Sequence, residues 1–295
     1  MRRISAAEVM LLVTVSIWAF NFTVTRYVLT HGFEPLAYGS LRFAAAALVV
    51  SSITLGLERS LRFEPKHAFV LGVAAIVGIY LNSISFVYSI DLTSASTVAL
   101  IFGSLPIVTA VIAYLLGVER LSGRFWGAAA LSFAGVVLVA AGSGSGVTGS
   151  LTGNLLAFMA TVTWGAYTVA IIPLLRLYSV WRVSAGALVM GSIPLLVTAA
   201  PQIADQDWDL GALVWAGFAF AVVGPLVLTN FLWFTAIERV GPSRATLVAN
   251  LQPFLAAIFA VALLSEELTW LQVGGGIAIG AALVLARARP TPEPT

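Results

Sequence analysis

The 295-residue chain is 60% hydrophobic and 9% charged, against roughly 45–50% and about 25% in soluble globular domains, which excludes water as its main solvent. Its net charge of +2 forms no basic face, so a nucleic-acid surface is excluded. The absence of cysteine excludes disulfides, thiolate metal sites, thiol nucleophiles and iron–sulfur clusters.

In chain order, apolar runs predict ten membrane-spanning helices, over residues 7–29, 35–57, 68–89, 93–116, 123–142, 152–175, 181–200, 211–237, 243–264 and 268–287. Arg2-Arg3 ahead of the first run resembles a signal peptide. That run is long for such a segment and lacks a clear small-x-small cleavage site, so it reads as an uncleaved span. The apolar stretch from Phe125 to Leu175 is cut in two by Gly142-Ser143-Gly144-Ser145-Gly146. Connections are short, which leaves no room for a soluble domain, and residues 290–295 read as a disordered tail.

With the N-terminus cytoplasmic, one set of connections holds Arg2, Arg3, Arg59, Arg62, Lys66, Arg120, Arg124, Arg176, Arg182, Arg239, Arg244, Arg287 and Arg289, all the basic residues except Arg26 and Arg42. This is a positive-inside pattern, with both termini cytoplasmic. A bacterial-type cytoplasmic (inner) membrane is the expected location.

Pro106, Glu119 and Leu121 recur as Pro253, Glu266 and Leu268, at an offset of 147 residues and so half the chain. Each copy continues into a run of small residues, Gly127 to Gly135 and Gly274 to Gly280. Trp18 likewise corresponds to Trp164, at an offset of 146. The chain therefore divides into residues 1–146 and 147–289. Five helices per half is an odd number, so the second half enters the membrane inverted. Arg120 after Glu119 and Glu267 after Glu266 agree with opposite sides.

The five-helix duplication, the segment Trp18-Ala19-Phe20-Asn21-Phe22, the opening Pro35 to Leu41-Arg42-Phe43-Ala44 and the Glu-x-Leu-Ser/Thr…Gly corners resemble the EamA family of the drug/metabolite transporter superfamily. The resemblance implies an all-α membrane protein with predicted spans 1–4 and 6–9 around a central cavity and spans 5 and 10 peripheral. It further implies movement of small metabolites, commonly efflux of amino acids or similar compounds.

Inside hydrocarbon a polar side chain must find a partner or line water. At midplane depth stand Asn21, Tyr80, Asn82, Ser85, Ser104, Trp164, Tyr167, Asn230, Asn250 and Gln252, drawn from both halves. Each either ties helices together or contacts a ligand; as a set they outline a cavity. Phe102 and Trp233 add aromatic faces suited to stacking. The candidate substrate-binding residues are thus Asn21, Tyr80, Asn82, Phe102, Trp164, Tyr167, Trp233, Asn250 and Gln252.

Pro106 and Pro253 each free a carbonyl one turn earlier, open to a ligand or to a neighbouring helix. Gly224-Pro225 interrupts predicted span 8 in the same way. Arg42 lies about 10 Å inside its span; it either anchors a substrate carboxylate or pairs with helix-end carbonyls, Glu34 or Asp91. Glu119 and Glu266 precede Ser122 and Thr269, expected N-caps, and read as structural corners. Arg42, Pro106, Pro253, Glu119 and Glu266 are therefore gating or structural candidates.

No Asp, Glu or His falls at midplane depth, so an enzyme active site has no members there, and no metal or cofactor is expected. The expected partners are a small-molecule substrate and membrane lipid, with the chain a monomer or a weak homodimer. The expected activity is secondary transport, in the export direction, by alternating access around the midplane. The rival is a membrane scaffold or receptor with a dry interior.

Overall fold

The helix starts are set by caps and prolines. The computed structural model describes residues 5–92, 98, 101–142, 150–255, 258, 259 and 269–287, apart from the side chains of Phe22, Arg26, Ile90, Asp91 and Arg287. Helix α1 (Ala6–Thr30) begins at Ser5, whose hydroxyl accepts from the Glu8 amide at 3.3 Å while the Glu8 carboxylate accepts from the Ser5 amide at 2.9 Å. This reciprocal box satisfies two otherwise orphaned donors. α2 (Pro35–Glu58) and α3 (Pro65–Ala75) open on proline, whose missing N–H costs nothing in a first turn. α3 continues through a π-helical stretch, π1 (Ile76–Leu81), into α4 (Asn82–Leu92).

α5 (Leu105–Leu115) and α6 (Gly123–Gly142) follow. α7 (Leu151–Ala170) is capped by Ser150 and leads through the one-turn α8 (Ile172–Leu175) to α9 (Val180–Asp205), capped by Ser179. α10 (Gly211–Val222) passes through a second π-helical stretch, π2 (Val223–Leu228), into α11 (Thr229–Val240). α12 (Pro242–Ala249) again opens on proline, and α13 (Trp270–Arg287) ends the described chain. Thr269 caps α13 as expected, its hydroxyl accepting from the Gln272 amide at 3.3 Å.

Among the described residues seven helices are long and apolar enough to cross a membrane: Ala6–Thr30, Pro35–Glu58, Pro65–Ser89, Gly123–Ala141, Leu151–Leu175, Val180–Asp205 and Gly211–Val240. α5 and α13 are shorter apolar helices. The apolar distribution fits a lipid surround, because Leu48, Phe69, Val197 and Ile277 are more than two-thirds exposed while polar Thr14, Thr109 and Thr161 are buried. Predicted spans 4 and 9 differ from expectation. The helix breaks at Gly103-Ser104 in one and at Asn250-Leu251 in the other, and Pro106 and Pro253 lie in the segments that restart. A proline in a helix interior clashes with the preceding turn, so the chain breaks there and the ring takes a first-turn place in the new segment.

The principal packing partners are α2 with α9, α4 with α7, α1 with α10 and α11, α5 with α12, and α6 with α13. The α6–α13 contact is a backbone approach: a Cβ on Gly135 would lie 2.8 Å from the Gly275 carbonyl oxygen, and one on Gly275 would lie 2.5 Å from that of Gly135. Small residues permit such packing in lipid, here between two helices of one chain.

Connections gather into two rims. The basic rim carries residues 59–64, 116–122, 176–179 and Gly241. The opposite rim, without Lys or Arg, carries residues 31–34 and 206–210, where the Gln206 side-chain nitrogen donates to the Gly32 carbonyl at 3.0 Å and its side-chain oxygen accepts from the Glu34 amide at 2.8 Å.

Candidate functional site

Four aromatic side chains from three helices meet in the interior. Trp18 of α1 lies 5.9 Å from Trp164 of α7 and 5.0 Å from Trp233 of α11, ring centre to ring centre. Tyr167, one turn beyond Trp164, stands 5.7 Å from it and 6.0 Å from Phe234. The Trp18 indole N–H donates to the Thr229 hydroxyl at 3.0 Å, just after π2. Tyr167 is buried against Gly78 of π1, where a Cβ would come within 2.1 Å of its ring. Both π-helical stretches therefore border the cluster, and such stretches concentrate at functional sites.

Buried without a hydrogen-bond partner are the Trp233 indole nitrogen, a donor, in this cluster and Asn21 Oδ1, an acceptor, on α1. Asn21 is one turn from Trp18 on α1. Unpaired buried groups are costly, commonly about 1–3 kcal/mol each, so they mark places where a bound molecule or water completes the bonding.

The remaining polar candidates separate from this cluster. Asn82 donates to the Ala160 carbonyl at 2.7 Å and to the Thr163 hydroxyl at 3.2 Å, pinning α4 to α7. Tyr80 meets the Thr198 hydroxyl at 3.1 Å, joining π1 to α9. Buried Asn250 donates to the Gly103 carbonyl at 3.1 Å and to Ser132 at 3.0 Å. One carbonyl exposed by the break before Pro106 is thereby satisfied by a neighbouring segment. Ser104 bonds back to the Ile101 carbonyl and Asn230 to that of Leu226. Phe102 packs edge-on against Phe86 at 5.7 Å, and Gln252 is partly buried beside Pro253.

Among the described residues Arg42 makes no ion pair with Glu34. Its guanidinium sits 5.1 Å from the Tyr38 ring centre and 5.5 Å from that of Phe43, with Nε buried and unpartnered; the Asp91 side chain lies outside the described residues. Tyr38 in turn contacts the Thr25 hydroxyl at 3.2 Å. Glu119 does not serve the start of its own following helix. Its carboxylate accepts from the Ser243 amide at 3.3 Å, at the first turn of α12. Burial raises its pKa above the ordinary carboxylate value, with the Ser243 hydrogen bonds and nearby Arg244 opposing. Glu266 lies outside the described residues.

Trp18 and Thr229 were missing from the sequence-derived set. The available signal for Trp18 was its correspondence with Trp164; nothing local marks Thr229. A lateral cavity of about 250 Å³, lined by Phe69, Val73, Val77, Ala166, Tyr167 and Ala170, opens between α3 and α7 and is almost wholly apolar. Its lining suits acyl chains better than a polar metabolite.

A family model described as the EamA-like transporter family matches the chain twice, over residues 5–141 and 151–288. An uncharacterized transporter of Archaeoglobus fulgidus is 27% identical over 288 residues, spanning 95% of this chain and 99% of that one. Transporters YyaM and YdeK of Bacillus subtilis, also uncharacterized, are 26% and 25% identical, spanning 82% and 92% of this chain and 81% and 94% of their own. A solved crystal structure of a protein superposes with a TM-score of 0.80 over 97% of each chain at 18% identity, a likeness of fold alone.

Proposed function

The chain belongs to the EamA-like transporter family, and on that premise we propose that it is a secondary transporter exporting small organic metabolites, such as amino acids or related amphipathic compounds. The observation that carries this reading is the Trp18–Trp164–Trp233 cluster with its unpartnered indole donor and Asn21 acceptor. Aromatic faces hold an aromatic or cationic portion of a ligand, and the two free polar atoms fix its orientation. Asn21, Trp164, Tyr167 and Trp233 contact the substrate; Asn82 holds α7, which carries two of them, while Tyr80 and Asn250 tie neighbouring segments together, and Phe102 and Gln252 stay in the wider set of candidates.

The layout proposed is ten spans in two inverted five-helix halves. Support comes from the double family match and from the π-helical stretches, since Val223–Leu228 lies 147 residues after Ile76–Leu81, the same offset as Pro253 from Pro106. Bending at π1, π2 and the two proline breaks exposes the cluster to one side and then the other. The basic connections support a cytoplasmic position for both termini, in a bacterial-type inner membrane. Arg42 and Glu119 act in gating, from opposite ends of the spans.

The test is uptake by proteoliposomes against a panel of amino acids, amines and nucleosides. Trp164→Ala is expected to lower uptake roughly tenfold, the scale of a desolvated aromatic contact, and Asn21→Ala to weaken apparent affinity without loss of fold. If no compound is moved or bound, the scaffold or receptor reading replaces this one; if both substitutions leave uptake intact, the site assignment alone fails.

A further inference from the structure

Three guanidinium groups share a hollow at the basic rim. Arg120 from the 116–122 connection, Arg124 from the first turn of α6 and Arg244 from the first turn of α12 line a cavity of about 110 Å³, with Ser122 between them and Phe125 and Ala286 as an apolar floor. No carboxylate among the described residues lines it. Among the described residues, the ion pairs are His67–Glu64 and Arg182–Glu58, and neither involves these arginines. The nearby Glu119 carboxylate is not part of the lining; it accepts from the Ser243 amide and offsets part of the Arg244 charge. Arg124 Nε donates to the Leu285 carbonyl at 2.9 Å, which holds the side chain against α13 and uses one of its five donors.

Three like charges around one hollow repel one another, and an anion placed between them removes that repulsion while accepting their hydrogen bonds. The space suits a tetrahedral phosphate and falls well below the roughly 300–1,000 Å³ of a metabolite pocket. The outer faces of α6 and α13 run away from it carrying exposed Leu131, Leu138, Ile277 and Val284, a track for acyl chains. We propose that this hollow binds the phosphate of an anionic phospholipid in the adjoining leaflet, bridging the connection before α6 to α12 and α13. A soluble phosphate shares the head-group chemistry but has no use for the apolar floor and track.

The experiment is native mass spectrometry of the full chain released from detergent, with phosphatidylglycerol, phosphatidylcholine or inorganic phosphate added. Phosphatidylglycerol is expected to remain bound while phosphatidylcholine does not. Arg244→Gln should weaken retention roughly fivefold, the usual weight of one arginine near an anionic surface, and Arg120→Gln/Arg124→Gln/Arg244→Gln should abolish it. Arg59→Gln/Arg62→Gln, which removes charge elsewhere on the same rim, should leave it unchanged. Equal retention of the two lipids overturns the proposal, as does retention unaffected by Arg244→Gln. Full displacement of phosphatidylglycerol by inorganic phosphate overturns the choice of lipid. Should the triple variant fail to fold, the wild-type lipid comparison and Arg244→Gln decide. None of these readouts requires transport, so failure here is distinct from failure of the transport reading.

Discussion

The two ends of the α2–α9 pair are closed by different chemistry. At the basic rim Glu58 meets Arg182 at 2.6 Å and also accepts from the Ser179 hydroxyl. Nearby, His67 contacts the Tyr178 hydroxyl at 2.9 Å. At the opposite rim the Gln202 side-chain oxygen accepts from the Leu36 amide at 2.8 Å, Gln206 joins Gly32 and Glu34, and Phe33 is packed among Tyr38, Trp208, Trp215 and Phe218. One end is therefore fastened by an ion pair, which salt screens, and the other by neutral amide hydrogen bonds and packed rings. A helix pair fastened at both ends moves as one body, so the bending that the proposed transport cycle needs falls to the π-helical stretches and proline breaks.

The comparison is broken most severely by Arg182→Ala. It strands Glu58, whose side chain is only 21% exposed, and is expected to cost about 2–3 kcal/mol. The expected reading is a lower Tm in detergent, with the added loss of Glu58 in a double variant recovering part of it. A wild-type Tm insensitive to salt and an unaltered Arg182→Ala variant would remove the ionic rim from the account. Gln206→Ala is expected to cost less, about 1–2 kcal/mol, and its deficit should be the same at low and high salt because no charge is involved.

The smallest effect belongs to Glu119→Gln. Burial raises the Glu119 pKa, so the folded protein favours the protonated acid more than the unfolded chain does. The stability penalty of ionisation is present above the folded pKa and disappears as pH falls below the unfolded one. Relative to Glu119→Gln, the wild type should therefore gain Tm on acidification from neutral through the carboxylate range. A Tm difference that stays flat over that range would count against the burial argument.

Much of this is written locally. Ser5 with Glu8, Pro35, Pro65 and Pro242 announce helix starts, and Gly224-Pro225 announces the interruption seen as π2. π1 is not announced, because its copy reads Val77-Gly78 with no proline; its 147-residue correspondence with π2 emerges from the structure. Of the candidate site, Trp164, Tyr167 and Trp233 were named from depth and ring chemistry, and the structure brings them together. Asn82 and Asn250 were named on the same grounds, yet their amide nitrogens bond to Ala160 and Gly103. Depth is a property of one helix, whereas a partner is a property of two. The aromatic seat of Arg42 and the distant partner of Glu119 escaped for the same reason.

Asn250 and Gly103 are themselves 147 residues apart, so the amide donor and the carbonyl acceptor occupy matching places in the two halves. Were the halves separate, identical subunits, one residue type would have to face its own copy across that junction, and two asparagines would compete for space that glycine leaves open. Carrying both copies on a single polypeptide removes the constraint. Each place can then evolve by itself, and a junction between equals becomes a junction between a side chain and a bare backbone.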